Sequence, residues 1–214
     1  MPLKPHCRLC IVRHGETDWN VARRIQGHVD IPLNATGLGQ ATATASGIAN
    51  HEFAAIYSSD LMRAMQTAQA VARSQALAVL PEPGLRERHF GSMQGMNYDE
   101  MLERHAGEAE RFRNRDPDHD FGGGETLTGF ASRIHATIDR LASAHAGQSV
   151  LLVTHGGVLD IVYRRAVARD LSSVRDFAVP NAALNWLEVG PKGWRLLSWA
   201  DRQHLEKTLE QSAE

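Results

Sequence analysis

Residues 8–20 read RLCIVRHGETDWN, an apolar run that stops at an arginine, a histidine and a glycine before a polar turn. Leu9 to Val12 are apolar with β-branched residues among them, which predicts a buried strand over residues 8–13. The design returns at residues 149–157, SVLLVTHGG: a buried strand, a histidine, then glycines. In an open parallel sheet ligands bind beyond the carboxyl ends of the strands, so two strands that each end in an imidazole predict a site there.

Strands and helices alternate between these two runs. NATGLGQATATASGIANH is alanine-rich and predicts a helix from about 36 to 50, capped by Asn34 or Thr36. AAIYSS (54–59) predicts a second strand. DLMRAMQTAQAVARSQA follows as a helix capped by Asp60, with Leu61, Ala64, Ala68 and Val71 on one face. LAVLPEPGL (77–85) predicts a third strand that ends at prolines. Residues 86–124 combine a helical composition interrupted by Gly107 with a glycine-rich loop, DHDFGGGET. Leu127, Phe130, Ile134, Ile138 and Leu141 predict a helix from Thr126 to about Ala146, and VLDIVYRRAVA predicts another behind the 149–157 strand. AALNWLEV and GWRLLSWAD flank GPKG and predict a terminal β-hairpin. The expected class is α/β: one domain over residues 1–214, a three-layer α/β/α sandwich with a mostly parallel central sheet and a C-terminal β-hairpin. The charged tail, residues 205–214, is expected to fray.

With 214 residues, 43% hydrophobic and 22% charged, the chain can bury a full core without disulfide or metal staples. A net charge of −2 gives no global basic field for nucleic acid or an anionic membrane, so any anion site must be local. Cys7 and Cys10 form one C-x-x-C with no second pair to complete a zinc site, and Cys10 continues the apolar run as a small hydrophobe. Low cysteine content, the absence of an apolar leader in MPLKPHCRLC and the lack of a membrane-length apolar run predict a cytoplasmic protein.

Four groups stand at or just past strand ends: Arg13-His14-Gly15, Ser58-Ser59 leading to Arg63, Arg86-Glu87-Arg88-His89, and His155-Gly156-Gly157. Arginine forks match phosphoryl oxygens and stay charged at any working pH. Gly156 and Gly157, opening a helix, would let backbone N–H groups approach an anion. No G-x-x-x-x-G-K-[ST] and no G-x-G-x-x-G occurs, so a P-loop and a dinucleotide fingerprint are both absent. Each residue alone also fits a structural reading: a histidine as a polar strand end, Arg63 as a solvated helix residue, Glu87 as a surface partner of Arg86 and Arg88. Their joint occurrence at successive strand ends favours a site. The remaining histidines, including His28, His51, His105 and His145, are expected at the surface, with His89 undecided.

RHGETDWN (13–20) resembles the signature of the histidine phosphatase superfamily, also called the phosphoglycerate mutase-like family. RRIQGHVDIPLNATGLGQA (23–41), IYSSDLMRAMQTA (56–68), LRERHFGSMQG (85–95) and the segment from GGGET to VLLVTHGG are similar to further blocks of that family, in family order. The resemblance implies that His14 is a nucleophile phosphorylated on a ring nitrogen. It implies that Arg13, Arg63 and His155 hold the phosphoryl oxygens, with Asn20, Gln26, Gly27 and Gly156 also in the phosphate pocket. Glu87 matches the proton donor. No metal and no cofactor is implied, residues 86–124 would form a lid or insert over the site, and the partner would be a small phosphorylated metabolite.

The same core supports hydrolysis or phosphoryl return. LRERHFGSMQGMN looks closer to the mutase branch, yet the segment 96–124 mixes Arg104, Arg111, Arg113 and Arg115 with Glu103, Glu108, Glu110, Asp116, Asp118 and Asp120, and lacks the paired arginines of a mutase insert. These charges read as a solvated face. A phosphatase is therefore the favoured expectation, with a cofactor-dependent phosphoglycerate mutase and a catalytically lapsed phosphate-binding or signalling module as alternatives. A metal-dependent hydrolase built on His14, Asp18 and His155 is a further reading. Trp186, Trp194 and Trp199 around the hairpin suit either core or a homodimer interface.

Overall fold

The strand β1 (Cys7–Arg13) lies inside a six-stranded sheet because it is paired along both sides. β4 (Ser149–Thr154) runs parallel to it, with Ile11 opposite Leu152 and Arg13 opposite Thr154. β5 (Leu184–Gly190) runs antiparallel on the other side, with Ile11 opposite Asn185. β2 (Ala55–Ser58) and β3 (Val79–Pro81) extend the parallel part beyond β4, and β6 (Gly193–Asp201) completes the hairpin, giving the order β3-β2-β4-β1-β5-β6. The computed structural model describes residues 6–206.

Side chains alternate along β1, so Cys7, Leu9 and Ile11 enter one core while Cys10 and Val12 enter the other. α6 (Leu127–Ala144) and α7 (Gly156–Ala166) cover the first face with Phe130, Ile134, Ile138, Leu159 and Val162. α2 (Ala35–Gly47) and α3 (Met62–Gln75) cover the second with Ala45, Ala64, Ala68 and Val71. Helices on both faces make the three-layer α/β/α sandwich that the alternation predicts. The odd C-x-x-C spacing sends the two free thiols to opposite sides of the sheet, where burial pushes Cys7 up to about 11 and raises Cys10 as well. They are core residues.

A third, smaller core belongs to the segment after β3. α4 (Tyr98–Arg104) and α5 (Ala106–Arg113) bury Met101 and Ala109 against Met93 and Phe121. The two helices break at His105, whose φ −143 and ψ 55 are non-helical, and Gly107 lies inside α5. α2 ends at Gly47, sooner than its alanine content suggests, and Asn34 caps it by accepting from the Gly37 N–H. Asp60 is not the cap of α3: its carboxylate holds Arg86 at 2.7 Å, and Asp30 accepts the Met62 N–H instead. β3 has three residues, because Glu82 accepts the Gly84 N–H and starts a 3₁₀ turn over Pro83–Leu85.

Trp194 and Trp199 pack, partly buried, against the first core and Trp186 against the second. Of the tail, residues 207–214 lie outside the described residues; residues 203–206 form a helical turn in which buried His204 donates to the Ala182 carbonyl. Among the described residues no helix is long and apolar enough to cross a membrane.

Candidate active site

Parallel register decides what meets at the carboxyl edge. His14 and His155 each stand one residue beyond the Arg13–Thr154 pair, so their rings lie 5.2 Å apart. The Ser59 N–H bonds Val153 O at the end of β2, which brings the Ser59 hydroxyl 2.8 Å from His155 Nε2. Thr154 donates its hydroxyl to Leu85 O at 2.7 Å and so anchors the turn that delivers Arg86 and Glu87. Arg63 enters from the first turn of α3, fully buried.

His14 Nδ1 lies 2.7 Å from the Gly15 carbonyl. A carbonyl only accepts, so the proton is on Nδ1 and Nε2 keeps its lone pair. The Gly15 N–H is held by Thr67 Oγ1 at 3.0 Å, and a Cβ at Gly15 would come within 2.4 Å of Gly37 O. Asn181 donates to the His14 carbonyl from the far side. Burial, then the charges of Arg63 and Arg13, hold His14 well below its ordinary 6.5; burial, Arg63, His14 and Arg13 do the same to His155. Both imidazoles are neutral at pH 7. Burial brings Arg13 and Arg63 down to about 10 each, with Glu87 opposing the shift in both.

The guanidiniums are braced by backbone. Arg13 donates to Val179 O at 2.7 Å, and Arg63 donates to Gly27 O at 2.8 Å and Val29 O at 2.9 Å. This leaves Arg13 Nε, Arg63 Nε, His155 Nδ1 and Gln26 Oε1 buried without a partner. Buried polar groups are normally paired, so three orphaned ring or guanidinium nitrogens together are a cost that an anionic ligand would relieve. Arg13, His14, Asn20, Gln26, Arg63 and Glu87 line one cleft of about 150 Å³. It suits a phosphoryl group.

Glu87 accepts the Gly157 N–H at 2.9 Å and its neighbour's, Arg88, at 2.9 Å. A Cβ at Gly157 would meet Glu87 Oε1 at 2.1 Å, so this glycine makes room for the carboxylate. The Gly157 N–H is thus committed to Glu87, unlike the sequence expectation that both glycines face an anion. Gly156 packs its backbone beside Arg13, where a Cβ would find ordinary contact at 3.4 Å. Gly27 serves through its carbonyl, which Arg63 holds, and its φ of +51 is a glycine conformation. Asn20 spends Oδ1 on the cap of the short helix α1 (Asp18–Val21), accepting the Thr17 N–H, which leaves Nδ2 as its donor in the cleft. Asp18 is exposed, and among the described residues no group of three or more His, Cys, Asp or Glu is placed to hold a metal ion.

The histidine phosphatase superfamily (branch 1) profile matches residues 9–202. The chain belongs to the histidine phosphatase superfamily. It is 38% identical over 210 residues to phosphoglycerate mutase-like protein 4 of Arabidopsis thaliana, covering 95% of this chain and 89% of that one. It is also 38% identical over 200 residues to a metal-independent phosphoserine phosphatase of the same plant, covering 92% and 82%. Among solved structures it is similar to a mycobacterial glucosyl-3-phosphoglycerate phosphatase in complex with VO3, with TM-score 0.81, 29% identity and coverage of 91% and 99%.

This histidine phosphatase also recruits residues that sequence reading left aside. His28, expected at the surface, donates Nε2–H to the Glu87 carbonyl at 2.8 Å and packs edge-on to His89. Ser59, Thr67, Val179 and Asn181 brace the two histidines and Arg13. Ser59 belongs to the Ser58-Ser59 strand end and Thr67 to the 56–68 block, whereas Val179 and Asn181 lie in no motif. Arg115 is no part of a solvated face: it reaches buried Asp160. Beyond Glu87 and Phe90, which both cavities share, a second chamber of about 390 Å³ opens between α5, α6 and α7.

Proposed function

We propose that this enzyme is a metal-independent phosphatase that hydrolyses a small phosphomonoester through a phosphohistidine at His14 Nε2. The observation that carries the reading is the neutral His14 with its proton fixed on Nδ1, sharing one cleft with Arg13 and Arg63, whose Nε atoms are orphaned, and with the His155 ring buried 5.2 Å behind it. The Nε2 lone pair attacks phosphorus as the P–O ester bond breaks, and the departing alkoxide takes a proton from Glu87. Water then attacks the phosphohistidine, gives a proton to Glu87, and the P–N bond breaks to release inorganic phosphate. The anionic transition state is loose, so positioned cations are the main device. Asn20, Gln26 and the Gly156 backbone would complete the phosphate pocket, and Gly27 would act by holding Arg63.

The segment 86–124, with its own small core, is read as a lid over the site within one histidine phosphatase domain. The relatives named above act on phosphoserine and on glucosyl-3-phosphoglycerate by their names, which supports a small phosphorylated metabolite as substrate here. Free buried thiols accord with a cytoplasmic location. The three tryptophans pack against the cores of their own chain while partly exposed, and sedimentation tests the homodimer expectation.

A panel of phosphomonoesters with a strong chelator, beside a 3-phosphoglycerate mutase assay with and without 2,3-bisphosphoglycerate, tests the proposal. Chelator-resistant phosphate release is the expected result. Bisphosphoglycerate-dependent isomerisation without release would make the chain a mutase, loss of release with chelator would restore the metal-dependent reading, and no turnover of any ester would leave the lapsed phosphate-binding module.

A further inference from the structure

The second chamber is lined by Glu87, Arg88, Arg113, Arg115, Asp160 and Arg175 as its charged groups, with aromatic walls from Phe90, Phe112 and Phe130. Most of those charges are spoken for. Glu87 is held by backbone N–H groups, and Arg88 donates to Glu125 O and His119 O. Asp160 is shared between Arg115 and Arg164. Arg113 and Arg175 are exposed, and among the described residues neither side chain has an ion pair or a hydrogen bond. The chamber that adjoins the phosphoryl cleft therefore carries uncompensated positive charge.

Arg175 is delivered by a loop built for rigidity. Fully buried Arg164 donates to Asp170 O, Ser173 Oγ at 2.6 Å and Ser173 O at 2.9 Å. Arg169 bonds Val174 O at 3.1 Å and pairs with Asp176, so both neighbours of Arg175 are tied down. The pairing also takes the nearest acid in sequence away from Arg175. Its charge reaches the phosphoryl clamp: the Arg175 charge contributes to lowering the pKa of Arg13, after burial. Two buried or half-buried arginines thus hold a short loop so that a third, unpaired one faces a chamber next to the reacting centre.

We propose that Arg175 is a specificity-determining residue, binding an anionic group, a carboxylate or a second phosphate, on the part of the substrate that leaves. The inference rests on the phosphatase reading and adds the class of leaving group to it. A planar guanidinium fork with no competing acid suits either anion, and Arg113 adds to the same field from the lid side.

The test compares kcat/KM for 3-phosphoglycerate, for glycerol bisphosphate and for glycerol 3-phosphate, which replaces the carboxylate of the first by a hydroxymethyl group. Wild type is expected to prefer at least one of the anionic pair. Arg175→Gln should reduce that preference about 10- to 100-fold, mainly through KM, the range of one charge-assisted hydrogen bond, and Arg175→Lys should restore part of it. Whichever anionic substrate loses the preference identifies the group bound. Equal losses on all three substrates, or no preference in wild type, would overturn the inference while leaving the phosphatase reading intact. No turnover of any ester by wild type would overturn both.

Discussion

His14 and His155 are buried and neutral, and this has a consequence for stability as well as for chemistry. Folded, both have pKa values well below the 6.5 of an exposed imidazole. Below pH 6.5 the unfolded chain takes up protons that these two folded side chains refuse. Their contribution is therefore complete above 6.5 and is lost as pH falls, by roughly 1.4 kcal/mol per pH unit for each histidine until its folded pKa is reached. Urea unfolding at pH 7.5, 6.5 and 5.5 should show this decline, and His155→Gln should make it shallower; an identical slope in the variant would contradict the assignment. Arg63→Ala should lower kcat by on the order of 10²-fold or more, because a buried cation facing the phosphoryl cleft is lost; near-normal kcat/KM would remove Arg63 from the pocket. The side chains with distinctive chemistry, His14, Arg63, Glu87 and His155, were readable in the sequence because each follows a strand. His28 was passed over although it lies in the 23–41 block, because its hold on the Glu87 carbonyl is a tertiary contact, and Arg175 lies in a loop with neither periodicity nor motif to mark it.

At the level of elements, the site depends on where strands stop and how tightly the next turn can pack. Gly157 opens α7 against the Glu87 carboxylate, with no room for a methyl group. Gly157→Ala should displace the acid and cost about 10²- to 10⁴-fold in kcat, the range of a lost general acid, with the thermal midpoint changed little; unchanged kcat would show that Glu87 has no part in proton transfer. Asp30, an exposed residue across the cleft loop, caps α3 at 2.7 Å. Removing it as Asp30→Ala should cost about 1 kcal/mol of stability by urea titration. Propensity pointed to Asp60 as the cap, and it failed because a tertiary ion pair with Arg86 claimed that carboxylate. The break at His105 and the short β3 were hidden for a similar reason, each being fixed by local hydrogen bonds that composition does not encode. The long periodic runs, β1, α6 and β4, were readable almost to the residue.

Across the whole molecule, the sheet order does what no single motif does. β4 lies between β1 and β2, so three strand ends distant in sequence reach one level and the helices close both faces behind them. The alternation of strands and helices was enough to read the three layers and the hairpin. It left open how residues 86–124 would fold, because their small core of Met93, Met101, Ala109 and Phe121 has no repeating pattern in the chain. The layers have to stay packed for the strand ends to stay in register: Ile134→Ala, at a fully buried position of α6, should cost about 2–5 kcal/mol, seen as a lower urea midpoint. The account as a whole comes down to the covalent step at His14. Mix the enzyme with a ³²P-labelled phosphomonoester, quench in alkali within a turnover, and map the label. Acid-labile, base-stable label on the peptide containing His14, absent from His14→Ala, is the predicted result; wild-type turnover with no label on that peptide would contradict it.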